Sequence, residues 1–245
     1  MAIAFKSSGA GVATESSGGA LSPANPAVVD ANDLLVLFTA WEGTTNAPTN
    51  PSGWEVLGAS PYTVGTASVA RAWLYGKIAD GTEDGATVAL GSPAVTTQRA
   101  ARIYSFSGFV AGTITDLIPE ASFSALVGDT DPTGPTVVTT IAGSLACAFV
   151  YQNDNNALET FASASDTWTE RGTVGGYIFA LAPGGVLDLL TATPDPDPST
   201  VSGGAMTVAN DPWVVIGCEI RPEVPVAAPP TPGAYYRYYT SMVAA

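Results

Sequence analysis

In Trp213-Val214-Val215-Ile216-Gly217-Cys218-Glu219-Ile220, the residues Val214, Ile216, Cys218 and Ile220 fall on one face and Glu219 on the other. A two-residue period marks a β-strand, because successive Cβ atoms of extended backbone point to opposite sides. The same period runs through Ala72 to Ile78, with Ala72, Leu74 and Ile78 on one face and Trp73, Tyr75 and Lys77 on the other. Arg99 to Phe106 alternates polar and aromatic residues, and Leu34 to Trp41 is a nearly continuous apolar run. Gly, Pro, Asn and Asp bound these runs at the spacing of antiparallel strands. No stretch reads as an amphipathic helix with caps. The expected fold is all-β, an antiparallel β-sandwich of jelly-roll type with an extended C-terminal arm.

The chain also resembles itself. Asn32-Asp33-Leu34 opens an apolar strand, Ser52-Gly53-Trp54 follows, then the aromatic strand Ala72 to Ile78, and Arg102 to Gly108 closes the series. From Gly143-Ser144-Leu145 the order recurs: an apolar strand, then Asp166-Thr167-Trp168, an aromatic strand Gly176 to Ala182, and a closing strand Val214 to Arg221. Leu34 and Leu145 start equivalent strands, and Trp54 and Trp168 stand at equivalent places after them. The half-repeats, residues 32–108 and 143–222, are roughly 75–80 residues long, beyond the length of a solenoid unit. Two small tandem domains or one sandwich of two similar halves would both produce this pattern. One sandwich over residues 1–222 is the expectation, because either half alone has too few strands to bury both faces.

Function is narrowed by what the chain lacks. Its 245 residues include no histidine, which removes Ser–His and Cys–His nucleophile pairs, histidine-ligated metals and the commonest general base. Eight Lys and Arg stand against 22 Asp and Glu, a net charge of −14, and so acidic a chain repels phosphate backbones. Nucleic acid is not an expected partner. No stretch approaches the ~18 apolar residues of a membrane helix, and Met1 to Ser8 has no apolar signal core. Neither a membrane partner nor Sec export is expected. The chain holds no phosphate-cradling Gly-x-x-x-x-Gly-Lys-Ser/Thr loop and no Gly-x-Ser-x-Gly elbow. Paired carboxylates can hydrolyse a glycoside, but no motif places such a pair here. The reading is non-enzymatic, without cofactor or metal. Cys147 and Cys218 lie in apolar runs and read as buried thiols, with a strand-to-strand disulfide left open by their spacing.

Several residue groups are candidates for recognition. The acidic segments 80–85, 129–132 and 195–198 invite a cation, but none has the Asp-x-Asp-x-Asp-Gly spacing with a distant Glu. Turns with solvated acids are the simpler reading. Trp41-Glu42-Gly43-Thr44-Thr45-Asn46 and Tyr151-Gln152-Asn153-Asp154-Asn155-Asn156 follow equivalent strands of the two halves. Trp41, Glu42, Tyr151, Asn153 and Asp154 are therefore candidate glycan ligands, offering a flat apolar face beside bidentate acceptors. The competing reading is an aromatic that finishes a core strand before a polar loop. Arg71, Lys77, Arg99 and Arg102 fall on strands and are expected to pair with acids at the rim. After Pro222 a Pro-rich spacer leads to Tyr235, Tyr236, Arg237, Tyr238 and Tyr239, which include four of the nine tyrosines. So aromatic a terminus, residues 223–245, reads as an arm that docks on a neighbouring subunit, or as a last strand on its own domain.

Four segments carry a resemblance to a known family. They are Asn32 to Phe38, Pro51-Ser52-Gly53-Trp54, Leu74-Tyr75-Gly76-Lys77-Ile78-Ala79-Asp80-Gly81-Thr82-Glu83, and Ile103-Tyr104-Ser105-Phe106-Ser107-Gly108. Together they resemble a family of β-sandwich domains in tailed-phage virion structural proteins, found also in some bacterial surface proteins. The resemblance spans residues 25–222 and leaves the arm outside. Asn32 stands where the family has glycine, and the second half keeps the tryptophan but not the Lys-Ala-Asp series. These are framework motifs, so the resemblance implies a fold and a virion setting and no active site. Within that setting a capsid decoration or cement protein is the expected role, bound to the major capsid protein or to neighbouring copies of itself, because the acidic, low-charge body suits an outward-facing solvated shell and the tyrosine arm suits anchoring. A homo-oligomer is expected, and a trimer would suit a capsid vertex. A tail-associated carbohydrate-binding module for host recognition is the alternative.

Overall fold

Strands buried on both faces read as continuous apolar runs rather than as clean alternation, and this chain builds two sheets of such strands. The computed structural model describes residues 3–14, 20–42, 47–64, 70–91, 99–109, 112–119, 123–128, 135–152, 168–171, 186–192, 200–201 and 213–222. The strands are β1 (Ala4–Ser8), β2 (Val12–Thr14), β3 (Leu34–Glu42), β4 (Glu55–Val64), β5 (Ala70–Ile78), β6 (Arg99–Ser107) and β7 (Ser124–Gly128). They continue with β8 (Val137–Val138), β9 (Leu145–Gln152), β10 (Trp168–Glu170), β11 (Val186–Ala192), β12 (Thr200–Val201) and β13 (Trp213–Ile220). The first sheet has the order β1-β6-β3-β5-β4, with β2 also on β6; the second has the order β10-β11-β9-β13-β7. A ribbon of β8 and β12 stands apart.

The two sheets face each other across one core. Val36, Phe38, Leu74, Tyr104 and Phe106 of the first meet Cys147, Phe149, Val214, Ile216 and Cys218 of the second. Phe149 sets its ring edge-on to Phe38 at 5.6 Å and to Tyr104 at 5.9 Å between centroids. A buried phenylalanine of this kind contributes roughly 3–5 kcal/mol against alanine. The structure is thus an antiparallel β-sandwich, and the faces read from Ala72 to Ile78 and from Trp213 to Ile220 are those observed.

The outer faces are covered differently. Leu35, Leu37, Trp73, Tyr75 and Ile103 point away from the sandwich core and pack under Leu21, Val29, Ala79 and Leu90, which come from segments flanking β3 and β5. On the second sheet, Ala146 packs under Val137 and Val201 of the β8–β12 ribbon. Gly217 permits that cover: a Cβ there would stand 2.7 Å from Pro135 Cγ, too close to exist.

Superposing the strand orders reveals the repeat. Order β6-β3-β5-β4 matches β13-β9-β11-β10, and β1 flanks the first series as β7 flanks the second. The registers agree, Leu34 opposite Phe106 in one half and Leu145 opposite Ile220 in the other. Trp54 precedes β4 and Trp168 opens β10, the equivalent strand. Two expectations need refinement. A jelly roll sends consecutive strands to alternate sheets, whereas β1 to β6 all lie in the first sheet and the described strands divide by sequence half. A one-turn helix, α1 (Ile114–Leu117), also carries a capping box between Thr113 and Asp116 and buries Ile114 and Leu117. Four residues are too few to show a helical period in sequence. The predicted aromatic strand 176–182 and the arm 223–245 lie outside the described residues.

Candidate functional site

The same turn is built before β3 and before β9. Asp33 N donates to Asp30 O at 3.1 Å, and Ser144 N donates to Ile141 O at 3.1 Å. Inside each turn one residue takes the left-handed backbone, Asn32 at φ 70° and Gly143 at φ 84°. Asparagine is among the few side chains that tolerate this conformation, so Asn32 serves in the first turn as Gly143 does in the second.

In the second turn the carboxylate of Glu219 arrives from β13. It accepts from Thr140 N at 2.6 Å, Ile141 N at 3.3 Å, Thr140 Oγ1 at 2.9 Å and Arg221 Nε at 2.9 Å. Glu219 is fully buried. Burial alone would raise its pKa, but hydrogen bonds from Thr140 and Arg221 outweigh it and hold the group below its ordinary value. A carboxylate so held is a charged anchor and a poor proton acceptor.

Beside this anchor lies a groove of about 320 Å³ lined by Phe123, Ser124, Thr136, Val138, Thr140, Glu219 and Arg221. Arg221 shapes it twice: its N–H donates to Leu117 O at 2.8 Å, and its guanidinium bonds Glu219 and Thr140 Oγ1. About a quarter of the Arg221 side chain still faces solvent. Phe123 and Val138 give the groove an apolar wall, and hydroxyls with the guanidinium edge give it a polar one. Such a surface suits an amphipathic side chain. The sequence held one clue to it, since Glu219 is the one charged residue in the apolar run of β13.

The acidic segment 80–85 is a structural turn. Glu83 is buried, not solvated, and accepts from the backbone N–H groups of Asp80, Gly81 and Thr82 at 3.2, 3.0 and 3.1 Å. Lys77 Nζ completes it at 2.7 Å. Burial pushes the Glu83 pKa up, but Lys77 and the backbone donors hold it below its ordinary value. Asp84 accepts from Val29 N at 2.6 Å, so this turn pins the outer cover to the sheet. Among the described residues no three metal-ligating groups gather. Segments 129–132 and 195–198 lie outside the described residues.

Two of the five glycan candidates are core residues. Trp41 and Tyr151 are each 1% exposed, so neither ring offers a face to a sugar. Trp41 packs edge-on to Trp73, donates Nε1–H to Thr39 Oγ1 at 3.0 Å, and lies under the Arg99 guanidinium, 5.4 Å from ring centroid to Cζ. Tyr151 belongs to the sandwich core. Both aromatics finish a core strand, the competing reading. The backbone of Glu42 pairs with Ala70, while Asn153 and Asp154 lie outside the described residues, as do Tyr235, Tyr236, Arg237, Tyr238 and Tyr239. Of the strand cations, Lys77 pairs with an acid as expected, whereas Arg99 is buried.

Cys147 and Cys218 are free, buried and directly opposite each other on β9 and β13. Burial pushes the Cys218 thiol up to about 12 and the Cys147 thiol well above its ordinary value, so both remain protonated, inert thiols. No protein-family model matches this chain, no curated protein matches it, and no solved structure matches it.

Proposed function

We propose that this chain is a non-enzymatic virion structural protein of a tailed phage, a capsid decoration or cement protein held on the head by subunit contacts. The observation that carries the non-enzymatic part is the use made of buried carboxylates. Glu219 and Glu83 direct their oxygens at backbone N–H groups and neighbouring cations, so they build framework. The virion setting draws its support from the framework resemblance over residues 25–222. Attachment draws its support from the tyrosine-rich terminus, which adds contact area on a neighbour without enlarging the sandwich. Many weak arms on a lattice bind strongly together. The carbohydrate-binding alternative is weakened, because the two rings it relied on are core residues.

Immunogold microscopy of intact particles, with antibody raised to the chain, tests the setting. Label over the head is the expected result; label confined to the tail would favour host recognition, and unlabelled particles would overturn the virion reading. A chain with Tyr235, Tyr236, Tyr238 and Tyr239 changed to serine should fold and fail to co-sediment with heads. Full head binding by that variant would remove the arm from the mechanism.

A further inference from the structure

We infer that the groove between Phe123 and Arg221 receives a tyrosine of the C-terminal arm from a second copy of this chain, an inference that rests on the arm-docking reading above. Its size is the first argument. At about 320 Å³ the groove lies at the bottom of the ~300–1,000 Å³ range of small-ligand pockets, room for an aromatic side chain rather than a large ligand. Its chemistry is the second. A tyrosine ring would lie along Phe123 and Val138, the latter 52% exposed, while its hydroxyl reached Thr136, Ser124 or the open edge of Arg221.

Charge and chain path supply the rest. From residue 224 onward the arm carries Arg237 and no acid, against a chain whose net charge is −14, so arm and body attract. The arm begins at residue 223, directly after Arg221 and Pro222, at the rim of this groove. Its first eleven residues, 223–233, include four prolines. A spacer of that composition extends by about 3.1 Å per residue, or roughly 34 Å in all, against the ~10 Å between packed sheets. An arm so extended would be long enough to reach the same groove on a neighbouring copy. A contact of this kind is head-to-tail, and it closes as a ring or continues along a lattice.

Cross-linking of full-length chains tests this. One chain carries Thr136→Cys, an exposed position in the groove wall, and a second of different mass carries Tyr238→Cys; the buried native thiols do not compete. Mixed under oxidised glutathione, they should form the mixed disulfide about tenfold faster than when Val56→Cys, an exposed valine on β4, replaces Thr136→Cys. A chain with Val138→Cys should show the same excess, and adding Thr136→Trp to it, which fills the groove without touching the core, should abolish that excess. No excess over the Val56→Cys control overturns the inference, as does cross-linking confined within single chains that carry both cysteines. If Tyr238→Cys instead cross-links to a capsid protein on heads and not to the groove, the arm reading stands and this inference falls.

Discussion

The two halves of the molecule share a strand order and differ in how they hold the turn that starts it. Ser105 lies opposite Leu35 and Glu219 opposite Ala146, so Ser105 and Glu219 occupy equivalent places, as do Asp33 and Ser144. The acid and the hydroxyl have changed positions between the halves. In the first, Asp33 accepts from Asp30 N at 2.8 Å, with Ser105 Oγ 3.5 Å away; in the second, Glu219 accepts from Ile141 N. Asp30 and Ile141 are themselves equivalent, each the residue whose carbonyl closes the turn. A cation completes both: Lys6, 2.6 Å from both Asp30 and Asp33, and Arg221 beside Glu219. The repeat has kept a carboxylate against one backbone N–H and has let its point of attachment change.

The largest expected effect comes from removing the more deeply buried anchor. Glu219→Ala leaves two backbone N–H groups and one guanidinium without their shared acceptor, a loss of about 3 kcal/mol. Urea unfolding should read it as a lower midpoint at unchanged slope. Adding Ser144→Asp to a Glu219→Ser chain rebuilds the first half's arrangement in the second and should restore about 1–2 kcal/mol. A double variant no more stable than Glu219→Ser would show that the two positions are not interchangeable. Asp33→Ala should cost less, about 1–2 kcal/mol, because Lys6 keeps Asp30 and stands partly in water. Equal losses in the two halves would break the comparison.

Titration separates the halves at opposite ends of the pH scale. The folded pKa of Glu219 lies below its ordinary 4.5, so its contribution is full above pH 4.5 and is lost as pH falls through the lower folded value. Glu219→Gln should therefore flatten the acid limb of the stability curve. Lys6 behaves oppositely: burial lowers its pKa, the hydrogen bonds and charges of Asp30 and Asp33 outweigh that, and the net value is raised above 10.5. Its contribution is full below pH 10.5 and is lost as pH rises through the folded value. Lys6→Met should flatten the alkaline limb of the stability curve; an unchanged alkaline limb would show that its pairing with Asp30 and Asp33 adds nothing to stability.

Legibility in the sequence followed the range of the interaction. Strand faces were readable because a two-residue period is local, and the equivalence of Trp54 and Trp168 was readable because each closely precedes or opens its strand. Burial of Trp41 and Tyr151 was not, since a ring at a strand end looks the same whether a loop exposes it or a cover hides it. Trp41 is hidden among Leu21, Val29 and Leu90 of the flanking segments, and Tyr151 lies in the core between the sheets. The backbone partners of Glu219 were hidden for the same reason, being 78 and 79 residues away. The acidic segment 80–85 looked solvated because composition does not show that Glu83 folds inward onto three N–H groups.

The smallest expected effects test whether the two turns share one backbone. Gly143 at φ 84° sits where a Cβ is disfavoured, so Gly143→Ala should cost about 1 kcal/mol. Gly143→Asn should cost only a few tenths, because asparagine already holds the equivalent conformation at Asn32. Asn32→Ala should repeat the alanine cost in the first half, while Asn32→Gly should change stability by no more than a few tenths of a kcal/mol. This pattern, alanine costly and asparagine and glycine exchangeable at both sites, requires only that the left-handed residue be common to the halves. If alanine were costly at one site and silent at the other, the shared hydrogen bonds from Asp33 and Ser144 would reflect two different turns that converge on the same register.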